Sequence, residues 1–98
     1  MKKYRISQQA ISDLNEVWLY TLRKWSKEQA DRYYQQIINE IEFISDNFYV
    51  GKLAENTRKN YRVVQINSHL IFYRKTENKL VEIVRILHQR MDIKKRLK

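Results

Sequence analysis

The chain has 98 residues, enough for one hydrophobic core but not for two, so we expect a single domain over residues 1–98. It contains no cysteine, which excludes disulfides and thiolate metal sites and favours a reducing compartment, the cytoplasm. Lysine and arginine number 20 against 11 acids, and the net charge of +9 indicates an anionic partner. We find neither a signal peptide nor the roughly 20 apolar residues of a membrane span, so no membrane association is expected.

The first half of the chain has the periodicity of helices. A short strand over residues 3–6 is followed by apolar residues at three- and four-residue spacing, which predicts a helix over 8–24 with Ser7 as its amino-terminal cap. The same spacing predicts a second helix over 27–48, where Ser26 begins a capping-box arrangement. Because only a few residues separate the two helices, we expect an antiparallel hairpin.

The second half changes period and predicts strands. Residues 61–66, 70–75 and 80–87 are rich in β-branched and aromatic side chains and are joined by short turns, as in an antiparallel meander. The third of these strands is apolar on both faces, so one face can pack on the helices and the other needs a cover or a partner. Residues 91–97 predict one or two helical turns or a flexible basic tail. The elements together predict an α+β domain, a helical hairpin packed on a small antiparallel sheet.

The end of the last predicted strand is the most informative stretch of the sequence. Residues 85–93 bring cations, one histidine, a methionine and one carboxylate together where the strand ends. A strand that ends in a solvated turn rarely needs so many hydrogen-bonding groups. This composition indicates a recognition site.

The sequence offers few groups for catalysis. Two histidines, His69 and His88, without cysteine argue against a metal site, and a single glycine cannot build a phosphate loop, so no metal and no cofactor are expected. The remaining chemistry is ribonuclease-like, with Tyr73 or His88 as acid or base and with Arg62, Arg85 and Arg90 stabilising a phosphate. Each residue also has a structural interpretation: Tyr73 packs in the sheet, Arg85 pairs with an acid, and His88 hydrogen-bonds at a turn.

Three segments carry a resemblance to a known family. Residues 29–33 (QADRY) in the hairpin, 70–74 (LIFYR) and 84–92 (VRILHQRMD) are similar, in that order, to the ParE branch of the RelE/ParE superfamily of bacterial toxin–antitoxin systems. The resemblance runs over nearly the whole chain and implies a β-α-α-β-β-β fold whose sheet has a concave face. It further implies a type II toxin, neutralised by a ParD-like antitoxin whose acidic tail folds on binding.

The resemblance implies a poison that binds DNA gyrase, with no catalytic residues. The residues expected to contact this target follow the third strand, the last three of them by electrostatic attraction: Arg85, His88, Arg90, Met91, Lys94, Lys95 and Arg96. Met91 adds a soft apolar contact to the cations around it. The antitoxin is expected on the hairpin, around Leu22 and Trp25, and on the uncovered face of the sheet.

Two alternatives stay open. A ribosome-dependent messenger-RNA endonuclease of the RelE type would use Arg62, Tyr73, Arg85 and His88. Relatives of that type usually place a tyrosine or a similar proton-transfer group in the carboxy-terminal segment, and here no tyrosine follows Tyr73. The other alternative is an inert toxin whose remaining role is to bind its antitoxin.

Overall fold

The computed structural model describes residues 4–54 and 59–97. Within them the chain forms a small sheet, a helical hairpin and a short carboxy-terminal helix. The elements are, in chain order, β1 (Tyr4–Ile6), α1 (Gln8–Lys24), α2 (Lys27–Asp46), a 3-10 turn (Phe48–Val50), β2 (Lys52–Leu53), β3 (Arg62–Ile66), β4 (His69–Lys75), β5 (Val81–His88) and α3 (Ile93–Arg96). No helix in these two ranges is long and apolar enough to cross a membrane.

The five strands form one mixed sheet in the order β1-β5-β4-β3-β2. Strands β2 to β5 pair antiparallel, whereas β1 joins the edge of β5 in parallel, with Tyr4 opposite Val81. The predicted α+β fold is confirmed, with two corrections: the sheet is not purely antiparallel, and β2 was not predicted. Lys3, the first residue of the predicted initial strand, lies outside the described residues.

Serine caps define the starts of both helices of the hairpin. The Ser7 hydroxyl accepts a hydrogen bond from Ala10 N at 3.0 Å, and the Ser26 hydroxyl accepts one from Gln29 N at 3.1 Å. α2 ends at Asp46 rather than at the predicted residue 48. The chain there tightens into the 3-10 turn that leads to β2.

The strand boundaries differ from the predicted ones by one residue. β3 starts at Arg62, β4 starts at His69, and β5 runs from Val81 to His88. The earlier start of β4 and the later end of β5 have one cause, because His69 and His88 pair across these two strands and lengthen the ladder at that end.

The core has two parts, one on each face of the sheet. The larger part lies between the hairpin and the sheet and contains Ile37, Ile41 and Ile83, each 0 % exposed. On the opposite face Phe72 and Leu87 are covered partly by α3, whose neighbour Leu97 is only 4 % exposed. The face predicted to need a cover is therefore partly closed by the chain's own carboxy-terminal segment, which here is a helical turn docked on the sheet.

Candidate functional site

The chain turns sharply where β5 ends, and this turn presents the predicted recognition residues. Arg90 N donates to His88 Nδ1 at 3.1 Å, and Met91 N donates to His88 O at 3.0 Å. The His88 ring meets the His69 ring edge to face, with centroids 5.3 Å apart. Because the His88 Nδ1 accepts, the neutral ring carries its proton on Nε2. The side chains of Arg90 and Met91 are exposed.

A cleft of about 550 Å³ lies between α1, the paired ends of β4 and β5, and the segment after β5. Its walls combine acidic, apolar and basic groups. They are Asp13, Glu16, Val17, Tyr20, His69, Ile86, His88, Arg90, Met91 and Arg96. Of the seven residues predicted to contact the target, four therefore meet at one cleft: His88, Arg90, Met91 and Arg96. Lys94 and Lys95 are exposed on α3 and do not line this cleft.

Arg85 lies behind the cleft in a largely buried ion pair with Asp13. Its Nε and Nη2 donate to the two Asp13 carboxylate oxygens, both at 2.8 Å, and the side chains are 11 % and 13 % exposed. Its Nη1 donates to Arg96 O at 2.9 Å. The hydrogen bonds from Arg85 to Asp13 raise the pKa of the guanidinium, so the group stays cationic. Arg85 therefore pairs with an acid, as the structural interpretation of this residue in the sequence predicted.

A second cleft of about 400 Å³ opens beside the first and shares Tyr20, His69 and His88 with it. Trp25, one of the two residues predicted to bind the antitoxin, lines this cleft and is 74 % exposed. The other, Leu22, is half-buried and lies outside its lining. Sequence reasoning missed Tyr20, which is 57 % exposed and borders both clefts. The available signal was a large aromatic outside the apolar stripe of α1.

His69 connects the clefts to α2. Its Nδ1 lies 2.8 Å from the Tyr33 hydroxyl, which is also 3.1 Å from Ile66 O. Burial, together with the nearby His88, lowers the pKa of His69 to about 4, so the ring is neutral at pH 7. Across residues 4–54 and 59–97, no group of three or more histidine, cysteine or acidic side chains is arranged to hold a metal ion.

The structure does not bring the four residues of the ribonuclease alternative together. Tyr73 is fully buried, and its hydroxyl donates to Phe48 O at 2.7 Å and accepts from Gly51 N at 2.9 Å. Arg62 pairs across the strands with Tyr73 and donates to Gly51 O at 2.7 Å. His88 pairs with His69, which lies four positions before Tyr73 on β4. This separation corresponds to about 13 Å of strand.

The architecture is that of a known fold. It superposes on a solved structure titled "Chromosomal ParDE TA system from P. aeruginosa" with a TM-score of 0.76, covering 87% of this chain and 92% of that chain. The sequences are 18% identical, so the likeness shows a shared fold.

Residues 4–93 match the family model described as "ParE toxin of type II toxin-antitoxin system, parDE", and the chain belongs to this family. It is 39% identical over 97 residues to Toxin ParE1 of Caulobacter vibrioides, covering 99% of both chains. It is 34% identical over 95 residues to Toxin ParE1 of Mycobacterium tuberculosis, covering 97% of both. The resemblance to ParE toxins is confirmed, and the chain is the toxin component of a type II toxin–antitoxin system.

Proposed function

We propose that this toxin arrests growth by binding DNA gyrase in the cytoplasm, and that a ParD-like antitoxin with an acidic tail neutralises it. The match to the ParE toxin family over residues 4–93 carries this proposal. The convergence of His88, Arg90 and Met91 on one cleft supports a single recognition surface at the end of β5.

The proposed target surface combines a soft apolar contact with positive charge. Met91 is 40 % exposed beside Arg90, and Lys94 and Lys95 follow on the exposed side of α3. Exposed cations accelerate association with an acidic partner, whereas a partly buried apolar side chain flanked by arginine contributes to affinity. This division of roles favours inhibition by binding.

The environment of Tyr73 argues in the same direction. Its hydroxyl is occupied by two backbone groups in the interior, and burial raises the pKa of this phenol. A general acid or base must reach its substrate, and this hydroxyl does not. The observation favours the gyrase hypothesis over the endonuclease alternative.

The proposed antitoxin surface lies around the second cleft. Trp25 and Tyr20 are the most exposed aromatics of α1 and its carboxyl end, and Leu22 is half-buried on the same helix. Aromatic side chains of this kind are frequent contact points for a partner segment. The net charge of +9 suits an acidic chain that orders on binding.

A supercoiling titration tests the target. Purified toxin is added to gyrase, relaxed plasmid and ATP, and cleaved DNA is scored beside supercoiled product. Loss of supercoiling with double-strand breaks, reversed by the antitoxin, supports the proposal. A Trp25→Ala toxin should inhibit equally but resist reversal by the antitoxin. Unimpaired gyrase at a large excess of a toxin that arrests growth overturns the proposal, and translating ribosomes become the next target to assay.

A further inference from the structure

We infer that Asp13 and Arg85 are positioning residues, which act on the target by holding the target-facing segment of residues 88–96 in place. The inference rests on the proposed function, because it concerns how the recognition surface is formed. It also changes the role of Arg85, which the sequence placed among the contact residues.

The outer edge of β5 explains why Asp13 is needed. β1 pairs with β5 only as far as Ile6 opposite Ile83. Beyond that point in the described chain, two side chains of α1 and its cap form hydrogen bonds with the backbone of β5. The Ser7 hydroxyl donates to Val84 O at 2.7 Å, and Asp13 Oδ2 accepts from Ile86 N at 3.0 Å. Asp13 thus provides a hydrogen-bond acceptor for the Ile86 N–H, which lies on a strand edge that no described β-strand covers.

The same carboxylate orients Arg85. With two bonds from the guanidinium and one from Ile86 N, the Asp13 carboxylate accepts three hydrogen bonds. The two-pronged contact fixes the plane of the guanidinium, because two parallel N–H donors meet two oxygens. The third nitrogen, Nη1, is thereby directed at Arg96 O.

The bond to Arg96 O matters because α3 is very short. A helix of four residues cannot sustain itself, so its position depends on tertiary contacts. They include the apolar contacts of Ile93 and Leu97 with the second core cluster and the hydrogen bond from Arg85. Asp13, Arg85 and Arg96 O therefore form a chain of contacts from α1 through β5 to α3.

This chain of contacts ends beside the proposed recognition residues, Arg90 and Met91. Arg90 and Met91 lie between two fixed points, the paired His88 and the tethered Arg96. Both Asp13 and Arg96 line the 550 Å³ cleft. If the tether is removed, the segment must be ordered when the target binds, and affinity falls by that ordering cost.

Two variants and two measurements test the inference. Asp13→Asn keeps the shape of the side chain but loses its charge, and Arg85→Lys keeps the charge but cannot reach Asp13 and Arg96 O together. Backbone hydrogen exchange of residues 91–97 and the toxin concentration that half-inhibits gyrase are measured for each. We expect the exchange rate of residues 91–97 and the half-inhibiting toxin concentration each to rise by about tenfold. This factor is typical of one lost charge-assisted hydrogen bond.

Glu82→Gln is the matched control. Glu82 is also 13 % exposed and accepts from two arginines, Arg5 and Arg74, but at the far end of β5. We expect this variant to lower the free energy of unfolding while leaving exchange in residues 91–97 and gyrase inhibition at wild-type values.

The outcomes separate the positioning role from general destabilisation. The inference is overturned if Asp13→Asn inhibits gyrase like the wild type, or if it changes exchange and inhibition no more than Glu82→Gln does. Direct contact by Arg85 predicts that Asp13→Asn, which frees the guanidinium, does not weaken inhibition. If the wild-type toxin leaves gyrase unimpaired, the proposed function fails, and the exchange comparison alone still decides whether Asp13 holds α3.

Discussion

The hydroxyl of Tyr73 joins β4 to the connection that follows α2, because it donates to Phe48 O at 2.7 Å and accepts from Gly51 N at 2.9 Å. Its ring stands edge to face against Phe48, with centroids 5.5 Å apart. One buried side chain thus satisfies two backbone groups, one in the 3-10 turn and one in the residue that follows it. The contact is structural and lies away from both clefts.

Tyr73→Phe should lower the free energy of unfolding by about 1–3 kcal/mol, because a buried Gly51 N–H loses its partner. Urea unfolding measures the loss, and Tyr49→Phe is the control because Tyr49 is 74 % exposed and lines neither cleft. Growth arrest should persist in both variants at a temperature where both are folded. A folded Tyr73→Phe protein without toxicity would instead favour an enzymatic role for this phenol.

Gly51→Ala should also destabilise the protein, for a steric reason. The φ of Gly51 is −77°, which any residue adopts. A Cβ there would overlap the Tyr73 hydroxyl and lie 2.9 Å from both Tyr73 Cε1 and Val63 O. Overpacking of this kind costs about 1–3 kcal/mol. In a double-mutant cycle, Tyr73→Phe should recover part of that loss, since it removes one of the three contacts; a neutral Gly51→Ala would contradict the packing described here.

Stability should fall in mildly acidic solution because of His69. The unfolded chain binds a proton at a pKa near 6.5, whereas the folded protein binds it only at about 4. The unfolded state therefore gains protons first as the pH falls, and this contribution to the free energy of unfolding decreases between about pH 6.5 and pH 4, then levels off. Since the ring is partly exposed, we expect a loss on the order of 2 kcal/mol.

Urea unfolding at several pH values, compared between wild type and His69→Gln, isolates this contribution from those of the carboxylates. The variant should show a shallower decline between pH 6.5 and 4. Identical slopes, or a proton NMR titration of His69 near its ordinary pKa, would show that the ring is not shielded as its contacts with Tyr33 and His88 imply.

The two helix caps should differ in their effect on stability. The Ser7 hydroxyl both accepts from Ala10 N and donates to Val84 O, so it joins α1 to β5. The Ser26 hydroxyl is exposed, and its hydrogen bond is the one it accepts from Gln29 N within its own helix. Ser7→Ala should lower the free energy of unfolding by about 2 kcal/mol and Ser26→Ala by about 1 kcal/mol. Thermal unfolding of the two variants measures how much stability each has lost. Equal losses would mean that the hydrogen bond from the Ser7 hydroxyl to Val84 O does not contribute to stability.

The local sequence pattern was sufficient for the two long helices and the meander, but not for the two-residue β2 or for the long-range pairing of the strands. Apolar spacing predicted both helices because one face of each must be buried, and β-branched residues predicted the meander. The parallel docking of β1 joins Tyr4 to Val81, and no local pattern encodes a contact across that separation. A helical turn was one of the two forms predicted for residues 91–97, but its docking on the sheet was inaccessible, since four residues carry too little periodicity to show which face is buried.

At the candidate site, sequence reasoning found residue types and missed their geometry. His88, Arg90 and Met91 are close in sequence, so their proximity at one cleft follows from the turn after β5. The partner of Arg85 is Asp13, on another element, and only the fold brings the two together. Tyr73 was ambiguous for the same reason, because burial of its hydroxyl depends on the path of the chain around Gly51.

Arg90→Ala combined with Met91→Ala should abolish growth arrest while antitoxin binding persists. Both side chains are exposed, so the free energy of unfolding should change by less than about 0.5 kcal/mol. Loss of an interface hot spot weakens binding by about 2 kcal/mol or more, roughly a thirtyfold drop in affinity for the target. Growth after induction, together with antitoxin pull-down, measures the two effects separately.

The chain offers a matched control in Lys52→Ala with Leu53→Ala. These neighbours also join a cation to an exposed apolar side chain, with Leu53 56 % exposed, but they lie in β2, at the opposite edge of the sheet from β1 and β5. This control should remain toxic, because a loss of charge and apolar surface away from the β5 end leaves the proposed contact intact. Toxicity retained by the Arg90 and Met91 double variant would exclude the end of β5 as the surface that poisons the target.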